Sequence, residues 1–312
     1  MFSVVFPGQG SQVVGMTQNL YLKYELIKKL YKKADEVLDY PLTKLILSGP
    51  KEELEYTENT QPAVFLVGYC IFNLVKKEFG IDLNKAKYFA GHSLGEYTAL
   101  ACSEVLTFEE ALKILKIRGR AMQNAVPIGY GGMIAILGSN IKDIENIIYN
   151  EKKNYQCFVA NDNSESQVVV SGTISDIDKF SEKLKSKKIK NIKLNVSAPF
   201  HCKLMNSATD IMKEEISKVK FNQQKNILIS NVTAKEVSNS ENIKKLLIEQ
   251  IESRVRWRES VKYMLNNNID HFIEMGPGKV LSGLIKRIDK SVKVSAINEE
   301  EDIKNLIIND QS

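Results

Sequence analysis

Gly91-His92-Ser93-Leu94-Gly95-Glu96 reads G-x-S-x-G, with the short apolar run Tyr88-Phe89-Ala90 before it. That run predicts a buried strand end, and Tyr97 to Cys102 predicts a helix. A strand-to-helix turn this tight needs glycine on both sides of the serine, because neighbouring Cβ atoms would clash. The turn presents the Ser93 hydroxyl at the carboxyl edge of the strand. The Leu94 N–H, opening the helix, can face an oxyanion formed there. A strand ending at such a turn implies a covered sheet with helices around it.

Working outward, Ser3 to Phe6 predicts another strand, and it runs into Pro7-Gly8-Gln9-Gly10-Ser11-Gln12. A dinucleotide reading of this loop fails, because position 13, where the third glycine belongs, is Val13. The loop instead offers backbone N–H groups at a strand end, or is a simple β-to-α turn. Asn19 to Leu38 has helical spacing of apolar residues and stops before Pro41. Thr60-Gln61-Pro62 predicts a helix start with Thr60 as N-cap, leading into the apolar Ala63–Val75. Thr107 to Ala125 predicts a third long helix, with Thr107 and Glu110 as a capping box and with Arg118 and Arg120 on it.

From Met133 the texture changes. Met133–Leu137, Gln156–Ala160, Gln167–Ser171 and Lys190–Val196 predict strands, and Ile141–Asn150 and Ser175–Lys187 predict helices. The order is β-α-β-β-α-β, so residues 128–197 are expected to form an inserted ferredoxin-like subdomain. Residues 1–127 and 198–312 are expected to form the core. In the second core segment, strands at Ile227–Ser230, His271–Glu274 and Val292–Ala296 alternate with helices. That alternation predicts an α/β fold with a mostly parallel sheet. The loop Met275-Gly276-Pro277-Gly278-Lys279 lacks the glycine spacing of a phosphate-binding P-loop.

Composition narrows the classes. The chain has 312 residues, 43% hydrophobic and 26% charged, with a net charge of +5. Basic and acidic residues are interspersed, so no nucleic-acid partner is expected. No apolar run is long enough to span a bilayer, and the N-terminus lacks the basic and apolar regions of a signal peptide. The four cysteines are dispersed without C-x-x-C, as expected of reduced thiols and not of a zinc site.

A serine at such a turn needs a base, and the chain has three histidines. His92 adjoins Ser93, and successive side chains diverge. His271 lies within an apolar strand. His201, after Ala198-Pro199-Phe200, is left as the base by elimination. Cys202 is a rival nucleophile with the same adjacency problem as His92. Asp162 or a backbone carbonyl could orient His201. Arg118 or Arg120 could bind a carboxylate through two parallel hydrogen bonds, which an esterase for neutral esters would not need.

Phe6 to Gln12, Gly91 to Tyr97, Arg118-Gly119-Arg120-Ala121-Met122-Gln123, Ala198 to His201, Gln250 to Trp257 and Glu274 to Leu281 follow one another in an order that resembles the malonyl-CoA:acyl carrier protein transacylases of the free-standing bacterial type. The likeness runs to about Ile297. It implies an α/β-hydrolase-like core with a ferredoxin-like subdomain. It also implies roles: Ser93 as the nucleophile that carries malonyl, His201 as general base and then acid, and Arg118 as partner of the malonyl carboxylate. Gln12 and Leu94 would supply oxyanion N–H groups, and Gln250 would orient His201 through its main-chain carbonyl. Two positions depart from the common pattern: Phe200, where many free-standing members have serine, and Arg254, where proline is common.

The implied reaction is ping-pong transfer of malonyl from malonyl-CoA to the phosphopantetheine thiol of acyl carrier protein, supplying fatty acid synthesis. No resident cofactor or metal is expected, and a cytoplasmic monomer is. Two alternatives stand beside it: a Ser-His thioesterase or esterase of the same fold, and a non-catalytic carrier-binding subunit.

Overall fold

The computed structural model describes residues 1–196 and 198–310. Residues 197, 311 and 312, which end the expected subdomain and core segments, lie outside the described residues. Two sheets organise the chain. The first has the order β10-β9-β1-β2-β7-β8, built from β1 (Phe2–Phe6), β2 (Tyr88–Gly91), β7 (Ile227–Ile229), β8 (Glu236–Val237), β9 (His271–Met275) and β10 (Lys293–Ile297). Every pairing in it is parallel except β7 with β8. Its central strands are buried on both faces: β2 is Tyr-Phe-Ala-Gly and β1 is Phe-Ser-Val-Val-Phe. Such continuous burial is what helices packed on both sides of a parallel sheet require.

The second sheet has the order β4-β5-β3-β6, built from β3 (Gly131–Leu137), β4 (Cys157–Ser164), β5 (Gln167–Thr173) and β6 (Lys190–Lys193). All its pairings are antiparallel. The helices Ile141–Asn150 and Ile174–Ser186 complete the β-α-β-β-α-β order. The fold is therefore α/β, a mostly parallel core sheet with a separate antiparallel unit. Backbone bonds join the two: Val255 N–H donates to the Ala160 carbonyl at 2.8 Å, and Asp162 N–H donates to the Val255 carbonyl at 2.9 Å.

The helix Thr57–Lys77 is buried almost all round and lies beneath the core sheet. The helix Phe108–Gln123 packs against it, with the Thr107–Glu110 capping box in place. Gly119 permits this approach, since a Cβ there would sit 2.6 Å from the Thr57 carbonyl oxygen. The contact carries Arg118 inward.

Local signals fail in three places. Asn19–Leu38 is two helices, Gln18–Lys23 and Glu25–Leu38. Between them Tyr24 is extended (φ −111°, ψ 119°), and its ring packs against Phe79 at 6.2 Å. Tertiary packing there overrides the helical period. Thr60 is not an N-cap, because the helix begins three residues earlier, at Thr57. The Thr60 hydroxyl instead donates to the Leu54 carbonyl at 2.6 Å, tying two helices together. The helices Leu42–Ser48, Lys51–Glu55 and Glu300–Asp310 have no counterpart in the sequence reading.

Candidate active site

Ser93 stands between β2 and the helix Gly95–Cys102 with φ 54°, in the left-handed region that non-glycine residues rarely adopt. The helix is pressed against the end of β1: a Cβ on Gly95 would lie 2.2 Å from the Phe6 carbonyl oxygen. On the other side the loop after β1 touches the turn, and a Cβ on Gly8 would lie 2.6 Å from the His92 carbonyl oxygen. Strain of this kind costs roughly 1–3 kcal/mol and persists only where the surroundings enforce it. Asn231, just beyond β7, helps enforce it. Its Oδ1 accepts the Ser93 N–H at 2.7 Å, and its Nδ2 donates to the Gly91 carbonyl at 2.7 Å.

His201 Nε2 lies 2.8 Å from Ser93 Oγ. His201 also has a positive φ, 58°, and it is buried. Its Nδ1 lies 2.8 Å from the Gln250 main-chain oxygen. A carbonyl can only accept, so Nδ1 carries the proton and Nε2 is free to take the one on Ser93. Burial, and next the Arg118 charge, lower the His201 pKa to about 3. The imidazole is therefore neutral at pH 7, as a general base must be. Arg254 does not disturb this arrangement. It pairs with Glu145 at 2.5 Å, and Gln250 still reaches His201.

Arg118 is 1% exposed. Its Nη1 donates to Gln61 Oε1 at 2.8 Å, and its Nη2 donates to Gln250 Oε1 at 2.7 Å and to Ser93 Oγ at 3.2 Å. The Tyr97 ring lies 5.4 Å from its guanidinium carbon. Its Nε is buried without a hydrogen-bond partner among the described residues. Burial lowers the Arg118 pKa, yet an arginine remains charged at any physiological pH. A buried cation held by neutral amides, beside the serine oxygen, is a receptor for an anion.

Ser93, His201, Arg118 and Gln61 line a cavity of about 100 Å³, walled by Met122, Met133, Leu194, Val196 and Phe200. Gln9 and Leu94 also line it, and Gln12 does not. The Gln12 side chain turns back along its own loop, where Oε1 accepts the Gly10 N–H at 2.7 Å. Of the two glutamines in this loop, Gln9 is the one that lines the cavity. Among the described residues no acceptor engages the N–H of Gln9 or of Leu94.

The rival assignments resolve in the same geometry. Asp162 is held by Arg258, with Nε to Oδ1 at 2.9 Å and Nη2 to Oδ2 at 2.8 Å, and takes no part in orienting His201. His92 Nε2 meets Asn163 Oδ1 at 2.9 Å. His271 is buried and meets Ser295. Cys202 donates to the Pro199 carbonyl, and burial raises its pKa, so it is no thiolate nucleophile. Arg120 is on the surface with Glu58. Asn231, Gln61 and Gln9 were not singled out by sequence. The first could have been: it follows a parallel strand at its carboxyl end, where sheets of this class gather their sites.

A serine, a neutral imidazole beside it, two unengaged backbone N–H groups and a buried cation define an acyl-transfer site of the serine–histidine class. The comparisons with known proteins place it more narrowly. The acyl transferase domain family model matches residues 3–308, and the chain belongs to that family. It is 37% identical over 299 residues to the malonyl CoA-acyl carrier protein transacylase of Escherichia coli strain K12, covering 96% of each chain. It superposes with a TM-score of 0.96 on the acyl-carrier-protein S-malonyltransferase of Bartonella henselae, at 35% identity, covering 100% of this chain and 99% of the other. A malonyl-transacylase solved in complex with a type II polyketide acyl-carrier protein matches with a TM-score of 0.95 at 34% identity, covering 99% of both chains.

Proposed function

We propose that the chain transfers malonyl from malonyl-CoA to the phosphopantetheine thiol of acyl carrier protein, supplying fatty acid synthesis. The observation that carries the choice of acyl group is Arg118, a buried cation 3.2 Å from the serine oxygen with no carboxylate hydrogen-bonded to it among the described residues. A malonyl group places its free carboxylate a few bonds from the ester carbon, within reach of that guanidinium. A neutral acyl group would leave the charge unanswered, and a buried unpaired charge is costly.

The reaction follows from the contacts. His201 Nε2 takes the Ser93 proton as Oγ attacks the thioester carbonyl carbon. The carbonyl oxygen gathers negative charge and is met by the N–H groups of Leu94 and Gln9. The C–S bond breaks, and the CoA sulfur leaves with the proton from His201. The carrier thiol then repeats the sequence on the malonyl-serine ester: its proton passes to His201, its sulfur bonds the carbonyl carbon, the bond from that carbon to Ser93 Oγ breaks, and Oγ leaves with the proton from His201. The Gln250 carbonyl accepts the Nδ1–H throughout and stabilises the imidazolium formed in each half-reaction. The steps need no metal or resident cofactor.

Hydrolysis competes with the second half-reaction. The narrow apolar wall from Met122 to Phe200 and the Arg118–carboxylate pair hold the ester so that a thiol has the productive approach. A thioesterase would pass the ester to water. No helix among the described residues is long and apolar enough to cross a membrane. A cytoplasmic monomer with no nucleic-acid partner fits this chemistry. [14C]Malonyl-CoA, labelled in the malonyl group, offered with holo acyl carrier protein tests the reading, with label expected on the carrier. Label recovered only as free malonate would point to the thioesterase.

A further inference from the structure

Glu96 is a buried carboxylate that the transfer mechanism does not use. It sits in the first turn of the helix after Ser93 and is 1% exposed. One of its oxygens, Oε2, accepts from Gln250 Nε2 at 2.7 Å and from the Asn231 N–H at 3.3 Å. Those two residues hold the two halves of the site. Asn231 clamps the Ser93 turn, and Gln250 orients His201 with its carbonyl and Arg118 with its side chain.

The Gln250 side-chain amide has one donor end and one acceptor end. Its Nε2 end meets three acceptors: Glu96 Oε2 at 2.7 Å, the Ser93 carbonyl at 3.1 Å and Asn231 Oδ1 at 3.4 Å. Its Oε1 end meets the Arg118 donor at 2.7 Å. If the amide turned over, its oxygen would face the Glu96 carboxylate and its NH2 would face the guanidinium. Acceptor would oppose acceptor, and donor would oppose donor. Glu96 is the nearest of the three acceptors that forbid this, and the only carboxyl group among them. We propose that Glu96 is a positioning residue that fixes the Gln250 amide and thereby aims Arg118 at the acyl carboxylate. The inference rests on the reading of Arg118 as the carboxylate partner.

Burial raises the Glu96 pKa to about 7, against the lowering influence of Gln250, Asn231 and Arg118. Keeping a carboxylate in such a place has a cost. A side chain present only to fill space would avoid that cost by being apolar.

The test compares kcat and KM for malonyl-CoA and acetyl-CoA, with holo acyl carrier protein as acceptor, in Glu96→Met, Glu96→Gln and Arg118→Ala. Methionine keeps the volume and removes the acceptor, while glutamine keeps an acceptor oxygen. Glu96→Met is expected to lower the malonyl-to-acetyl ratio of kcat/KM about ten-fold, carried by the KM for malonyl-CoA, and Glu96→Gln to stay within about two-fold of wild type. Equal ratios in the Met and Gln variants would reduce Glu96 to a space-filler and overturn the inference. A higher ratio in Glu96→Met would also overturn it, since removal of a mere counter-charge strengthens the field of Arg118. Arg118→Ala separates the two levels. If it leaves the ratio unchanged, the Arg118 reading fails and this inference falls with it. If it collapses the ratio while Glu96→Met does not, the inference alone fails. Should Glu96→Met not fold, Gln250→Met removes the same link, is expected to raise the malonyl KM similarly, and overturns the inference if the ratio holds.

Discussion

The Gln250 main-chain oxygen stands 2.8 Å from His201 Nδ1, in the place that a carboxylate occupies in a serine–histidine–acid triad. A neutral carbonyl fixes the tautomer and ring orientation without contributing a charge. With Arg118 close by, the imidazolium form is doubly disfavoured, by burial and by the cation. Serine deprotonation is then tied to attack on the thioester and not to a standing alkoxide.

This arrangement sets a pH dependence. His201 titrates at about 3, below its ordinary value, so it is neutral and competent above that pH and is lost as a base only as pH falls through it. The rate of Ser93 malonylation, followed by rapid quench, should show no acid limb centred near 6.5 that belongs to His201. An acid limb there in both wild type and Glu96→Gln would contradict this.

Arg118→Ala should depress kcat/KM for malonyl-CoA by two to three orders of magnitude, as expected on losing a buried charge-assisted pair, roughly 3–4 kcal/mol. Acetyl transfer should change far less. Steady-state kinetics with the two donors decide it, and equal losses on both would remove Arg118 from the acyl site.

Glu96 makes a stability prediction with a definite sign. Its folded pKa, about 7, lies above the ordinary glutamate value of 4.5. Between those values the folded state holds a proton that the unfolded state has released, so this group's contribution falls as pH rises from 4.5 to 7 and levels off above. Glu96→Gln removes that titration. Relative to wild type the variant should gain stability across the same window, by up to an amount on the order of 3 kcal/mol. Urea melts at pH 4.5 and pH 8 measure it, and a difference that does not move with pH would show that Glu96 is ionised normally.

Asn231→Ala should cost both fold and rate. It leaves the Ser93 N–H and the Gly91 carbonyl without their partner, about 1–3 kcal/mol for each buried group. The Ser93 turn relaxes, so kcat should fall while KM for malonyl-CoA changes little. Thermal melts combined with steady-state kinetics check this, and wild-type kcat at a lowered melting temperature would make Asn231 structural only.

Much of the site was legible because its markers are local. The G-x-S-x-G turn, the helix capped by Thr107 and the lone loop histidine each declare themselves within a few residues. What escaped the sequence is set by distance and orientation. Gln9 and Gln12 lie in one glycine loop, and only the folded path decides that Gln9 reaches the cavity while Gln12 bonds Gly10. Asn231 is 138 residues from Ser93, and nothing near it announces that it caps the turn. The break at Tyr24 arises the same way, from packing on Phe79 that outweighs the local period, while Thr60, already inside the Thr57–Lys77 helix, gives its hydroxyl to the Leu54 carbonyl instead of capping.

The most direct measurement is intact mass after brief exposure to malonyl-CoA, on wild type and on Ser93→Ala. The wild type should gain one malonyl group and lose it again when holo acyl carrier protein is added, and Ser93→Ala should gain none. No adduct on the wild type, or an equal adduct on the variant, would contradict the account.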